Sequence, residues 1–93
     1  MKALVYTATG QVEFRDEPDP VPGEQQETLV NVQAVGICGS DMHAYLGHDA
    51  RRVPPLILGH EAAGVVASGA DSGRRVVLNP LIACGRCRYC LDG

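Results

Sequence analysis

The sequence predicts a mainly β fold, a small, partly open β-barrel with one short helix and a cysteine-rich lobe, and three observations carry that expectation. Five or six short β-prone runs follow one another between turn residues. Eleven Gly and six Pro in 93 residues supply the punctuation such an architecture needs. A single stretch, 40–46, joins helix-capping chemistry to helical length, which favours a barrel over a doubly wound fold.

The elements follow in order. Lys2 to Tyr6 is a weakly alternating strand, Thr7-Ala8-Thr9-Gly10 a turn, and Gln11 to Glu17 a second strand with Val12 and Phe14 on one face, so the chain opens on a hairpin. Pro18, Pro20, Pro22 and Gly23 form a rigid surface loop. Thr28 to Val35 alternates with Val30, Val32 and Ala34 on one side and is the best strand in the chain. Gly36-Ile37-Cys38-Gly39 breaks it, and Ser40-Asp41 offers N-cap chemistry for a helix reaching about Leu46, with Cys38 at the corner. A loop from Arg51 to Pro55 leads to Leu56-Ile57-Leu58, to Gly59-His60-Glu61 and to the apolar strand Ala62 to Ala67. A tight hairpin then returns through Arg75 to Leu78. From Asn79 onward large apolar residues are few, so something other than a hydrophobic core must hold that lobe.

A chain of 93 residues has room for one small domain or part of a larger one, and 45% hydrophobic with 20% charged residues is the composition of a folded piece. The formal charge of -3 and the lack of a basic face argue against a nucleic-acid partner. The longest apolar runs are too short to cross a bilayer, and no export signal follows Met1 to Tyr6, so a cytoplasmic protein with no membrane partner is expected. In that compartment four cysteines point to metal binding or redox chemistry before disulfides.

Their spacing sharpens this. Cys84, Cys87 and Cys90 form a CxxCxxC run whose thiolates can fold around one tetrahedral zinc. A closed site needs a fourth ligand, which either lies past Gly93 or is supplied by something else. An iron-sulfur cluster is the rival, because bacterial ferredoxins open with the same run. A second set is dispersed. Cys38 and His60 lie in different elements, each beside glycines, and Glu61 adjoins His60; three such groups from two loops suit a catalytic zinc that keeps a position open. Ser40 and His43 would bring a hydroxyl and an imidazole close by, and Asp41 could accept the other ring N–H of His60. Each residue alone has an ordinary explanation: a core cysteine, helix caps, a solvated helix histidine, a strand-edge charge. His48 has no other.

Taken together, Gly36-Ile37-Cys38-Gly39-Ser40-Asp41-Met42-His43 and Gly59-His60-Glu61-Ala62-Ala63-Gly64 resemble the two zinc signatures of the zinc-containing medium-chain alcohol and polyol dehydrogenases, nearest the sorbitol and threonine dehydrogenase branch. Asn79 to Cys84, leading into the cysteine run, resembles that family's structural-zinc lobe. The resemblance runs in order along nearly the whole chain and displaces the iron-sulfur reading. It implies that residues 1–93 are the N-terminal part of a GroES-like catalytic domain, with 79–93 the start of the structural-zinc lobe. By the same resemblance Cys38 and His60 bind a catalytic zinc, with Glu61 a ligand or its neighbour. Ser40 contacts the substrate hydroxyl, His43 relays its proton, and Cys84, Cys87 and Cys90 are structural. The cofactors implied are catalytic and structural zinc and NAD or NADP; the partners are an alcohol or polyol and, at full length, further copies of the chain. No GxGxxG fingerprint occurs, so the dinucleotide-binding domain is expected outside these residues. The connection between Val66 and Val76 is shorter than usual in the family. The competing expectation is a stand-alone zinc-binding interaction module of the same fold.

Overall fold

The computed structural model describes residues 1–23 and 27–93. Strand β1 (Lys2–Ala8) turns back through Gly10 into β2 (Gln11–Asp16), and Leu4 pairs with Phe14 and Tyr6 with Val12. The short β4 (Leu56–Ile57) adds to the other edge of β1, giving the order β2-β1-β4. A second sheet, ordered β3-β5-β6, is built from β3 (Val30–Gly36), β5 (Glu61–Val66) and β6 (Arg75–Val77). Among the described residues every pairing is antiparallel, and the two three-stranded sheets do not close into a full barrel. The mainly β, partly open architecture read from the turns is therefore the one observed.

The core is small and lies mainly along two strands: Ala3, Val5 and its neighbour Tyr6 of β1, Ala62 and Val66 of β5, with Ala44 from the helix. In β1 and β5 the buried residues are short, β-branched or aromatic, the types that pack on a pleated surface. The face carrying Val12 and Phe14 exists but points outward, with Phe14 70% exposed, and the alternating face of β3 is likewise open, with Val32 54% exposed. β5 and β6 are joined by a tight turn in which Gly73 N–H donates to Val66 O and Val66 N–H to Arg74 O, both at 2.9 Å. Gly69 and Gly73 take the positive φ values this turn requires.

Helix α1 (Gly39–Tyr45) begins earlier than the capping residues suggest, because its N-cap is Cys38, two positions before Ser40. Asp41 still does the capping, from the third helical position: its Oδ2 accepts the Cys38 backbone N–H at 3.1 Å. A second helix corrects the expectation of one. α2 (Arg88–Asp92) is a single turn that starts after Cys87, with Cys90 and Leu91 N–H donating to the Cys87 carbonyl; five residues are too few for any hydrophobic period to announce it. No helix among the described residues is long and apolar enough to cross a membrane.

Candidate metal centre

The pairing of β3 with β5 explains how residues far apart in sequence meet. Gly36, last in β3, lies opposite Glu61, first in β5. Cys38 comes two residues after β3 ends and His60 one residue before β5 begins, so antiparallel register carries all three ligand-type side chains to the same edge of the sheet. Their ligand atoms lie within 4.8 Å of one another. Glycine makes room for this. A Cβ on Gly36 would fall 2.6 Å from Glu61 Oε2, and one on Gly59, itself at φ +113, would fall 2.9 Å from Val35 Cγ1. Cys38 and His60 are half-buried and Glu61 is exposed on a cavity of about 410 Å³ that Gly36, His60, Leu78 and Pro80 also line.

The first turn of α1 supports the histidine. His60 Nδ1 lies 3.3 Å from Asp41 Oδ1, and Ser40 Oγ lies 3.3 Å from His60 Nε2. An ionised carboxylate only accepts, so a neutral His60 carries its proton on Nδ1 and leaves the Nε2 lone pair free. Asp41 is 7% exposed, and a carboxylate buried so far needs partners. It has the Cys38 N–H, His60 Nδ1 and one that the sequence did not reveal, Arg52, whose Nη1 donates to Asp41 Oδ1 at 3.3 Å. An arginine in a proline-closed loop has no local pattern that aims it at a helix, so only the fold could show it. His43 is exposed on α1 with its ring centroid 6.1 Å from that of His48; among the described residues no hydrogen bond joins it to Ser40 or His60.

The second cluster stands apart. Cys87 Sγ is 3.3 Å and Cys84 Sγ 3.5 Å from Cys90 Sγ, with all four cysteines of the chain in the free thiol form. Backbone N–H groups, first that of Arg86 and then that of Cys87, together with the neighbouring thiols, bring the Cys84 thiol down from 9.0 to about 7. Such a turn favours the thiolate, the form that binds metal. Nothing apolar holds this lobe: Leu81, Tyr89 and Leu91 are exposed and Ile82 is 100% exposed. The donor chemistry fits zinc at both places, three thiols around one point in the lobe and a thiol, an imidazole and a carboxylate in an open arrangement at the sheet edge.

An antiparallel β frame bearing one open mixed-donor set and one thiol cluster defines a β domain with two candidate metal sites. The chain belongs to the Alcohol dehydrogenase GroES-like domain family, which it matches over residues 24–93. It is 43% identical over 103 aligned positions to sorbitol dehydrogenase of Bacillus subtilis (strain 168), a match that takes in 100% of this chain and 29% of the relative. It is 38% identical over 99 positions to the starvation-sensing protein RspB of Escherichia coli (strain K12), again with 100% of this chain and 29% of the relative covered. Among solved structures, galactitol-1-phosphate dehydrogenase from Escherichia coli superposes with a TM-score of 0.89 at 30% identity, over 100% of this chain and 28% of that one. The rspB alcohol dehydrogenase from E. coli CFT073, complexed with NADH, gives 0.84 at 33% identity over 99% of this chain and 28% of that one. The chain thus spans under a third of the length of these relatives.

Proposed function

We propose that the chain is the N-terminal, zinc-binding part of the catalytic domain of a zinc-dependent dehydrogenase that moves hydride from an alcohol or polyol, typically a secondary alcohol, to NAD or NADP. The observation that carries this reading is the meeting of Cys38, His60 and Glu61 within 4.8 Å at one sheet edge, beside a cavity of about 410 Å³. In this reading Cys38 and His60 hold the catalytic zinc, Glu61 is its third ligand or immediate neighbour, and Cys84, Cys87 and Cys90 hold a structural one. When bound, zinc supplies Lewis acidity that lowers the pKa of an alcohol hydroxyl. The chain's own residues do the rest. Asp41 fixes the His60 ring so that Nε2 is the donor atom; Ser40 presents its hydroxyl beside that atom and orients the substrate oxygen; His43, exposed on the next turn of α1, passes the released proton to solvent.

The relatives support the substrate and cofactor classes: a sorbitol dehydrogenase, a probable D-xylulose reductase of Aspergillus clavatus at 39% identity, and the rspB structure with NADH. A cytoplasmic homo-oligomer completes the reading. A stand-alone zinc module has no use for an open mixed-donor set flanked by a serine hydroxyl, which is why the enzyme is preferred. The test is polyol oxidation by the complete protein with NAD and with NADP, alongside zinc analysis. One or two zinc ions per chain and loss of hydride transfer in Cys38→Ala and His60→Ala, with the fold retained, are expected; wild-type turnover in either variant overturns the reading.

A further inference from the structure

We infer that Arg52 is a positioning residue for Ser40: a two-pronged strap from the loop after α1 that fixes the serine rotamer and directs its hydroxyl proton. The inference rests on the reading above for what Ser40 does, and on geometry alone for the strap itself.

Arg52 reaches back across the loop to the first turn of α1 and grips one residue twice. Its Nη1 donates to the Ser40 carbonyl at 2.8 Å and its Nη2 to Ser40 Oγ at 3.2 Å, while Nη1 also serves Asp41 Oδ1 at 3.3 Å. The guanidinium is itself held from behind, with Nε 3.7 Å from Asp49 Oδ2 and its backbone N–H donating to Asp49 O at 3.1 Å. Arg51, next to it, takes the same aspartate at 3.0 Å and points to solvent, so the two arginines divide the work between anchoring the loop and gripping the helix.

The chemistry follows from hydrogen-bond bookkeeping. A guanidinium has donors only, so Ser40 Oγ accepts from Arg52 and its single proton goes elsewhere. The neighbour in reach is His60 Nε2 at 3.3 Å, the lone pair left free by Asp41. With zinc on that lone pair, as in the reading above, the same proton is free to be donated to a substrate oxygen, while the second Oγ lone pair can still accept. A free serine at a helix start samples several χ1 wells, and the strap removes that choice. Lysine cannot substitute, since one ammonium does not reproduce a planar fork.

The first measurement is independent of turnover: the Hα–Hβ coupling constants of Ser40 in the zinc-loaded complete protein. A single χ1 rotamer is expected in the wild type and rotamer averaging in Arg52→Met, with Arg74→Met, on the distant turn, as the control that changes nothing. Arg52→Lys, which keeps charge and stem and covers the case where methionine unfolds the loop, is expected to average as well. The second is a kinetic double-mutant cycle. Arg52→Met is expected to lower kcat about 10–100-fold with KM little changed, and to lower it no further in a Ser40→Ala background. A single Ser40 rotamer in both Arg52 variants, or losses that multiply in the double variant, overturns the inference. Full turnover in Ser40→Ala alone would instead remove the proposed role of Ser40, and the coupling constants would still decide whether Arg52 holds it.

Discussion

His60 presents Nδ1 to the buried Asp41 Oδ1 at 3.3 Å, so that one helix carboxylate governs both a helix end and the orientation of an imidazole. Asp41→Asn keeps an oxygen for the Cys38 N–H but loses the charge that orients His60. Zinc affinity of the open site is expected to fall about 10–100-fold, as it does when partners behind metal ligands are lost. Chelator competition against the wild type measures it; unchanged affinity would show that the ring is set by something other than Asp41.

The β3–β5 register is the second dependence. A Cβ on Gly64 would fall 2.3 Å from the backbone oxygen of Asn31 and 2.8 Å from Val30 Cγ1, in the middle of the ladder that brings Glu61 opposite Gly36. Gly64→Ala is expected to cost about 1–3 kcal/mol of stability or more, because backbone must move, and to weaken zinc binding although it touches no ligand. Gly69→Ala meets nothing within 4 Å and carries only the strain of φ +86, so its cost is expected near 1 kcal/mol with zinc binding intact. Thermal melts and zinc titrations of the pair separate the two effects; equal behaviour in both assays would argue against register control.

These dependences mark where the sequence was readable. The strands of β1, β2, β3 and β5 are legible because local alternation and turn residues are local properties, and Cys38, His60 and Glu61 are legible because ligand chemistry is rare enough to stand out beside glycines. The facing of those strands is less so. Phe14 and Val32 alternate as core residues do, yet both are exposed, since a period of two tells which residues share a face and not which face is covered. Arg52 is the extreme case: its partners Ser40 and Asp41 belong to another element, and nothing around it in sequence encodes the distance between them. The single turn of α2 is hidden for the opposite reason, being too short to have a period.

The thiol lobe should respond to pH with a definite sign. Backbone N–H groups favour the Cys84 thiolate in the folded chain and lower its pKa from 9.0 to about 7. A lowered folded-state value means that the contribution of this group to stability is complete above 9.0, declines as pH falls from there, and is gone once pH passes below about 7. In metal-free protein the alkylation rate of Cys84 is expected to be half-maximal near pH 7. Mass-resolved alkylation across the pH range measures this, and a midpoint for Cys84 near 9.0 would contradict the backbone effect.

Metal removal should dismantle that lobe and spare the sheets. Its apolar side chains are exposed, Ile82 wholly so, which leaves the convergence of Cys84, Cys87 and Cys90 as the tie that orders it. The amides of Cys90 and Leu91, bonded to the Cys87 carbonyl, should be protected from hydrogen exchange when zinc is bound and lose that protection after chelation. Those of Val66 and Leu78, bonded to Arg74 O and Ala62 O within the second sheet, should keep theirs, because Ala62 and Val66 sit in the core and use no metal. Returning zinc should restore the lobe without altering the sheet. Protection at Cys90 and Leu91 that survives complete chelation would mean that the turn is held by its backbone alone, and the assignment of these three cysteines to a structural metal would fall.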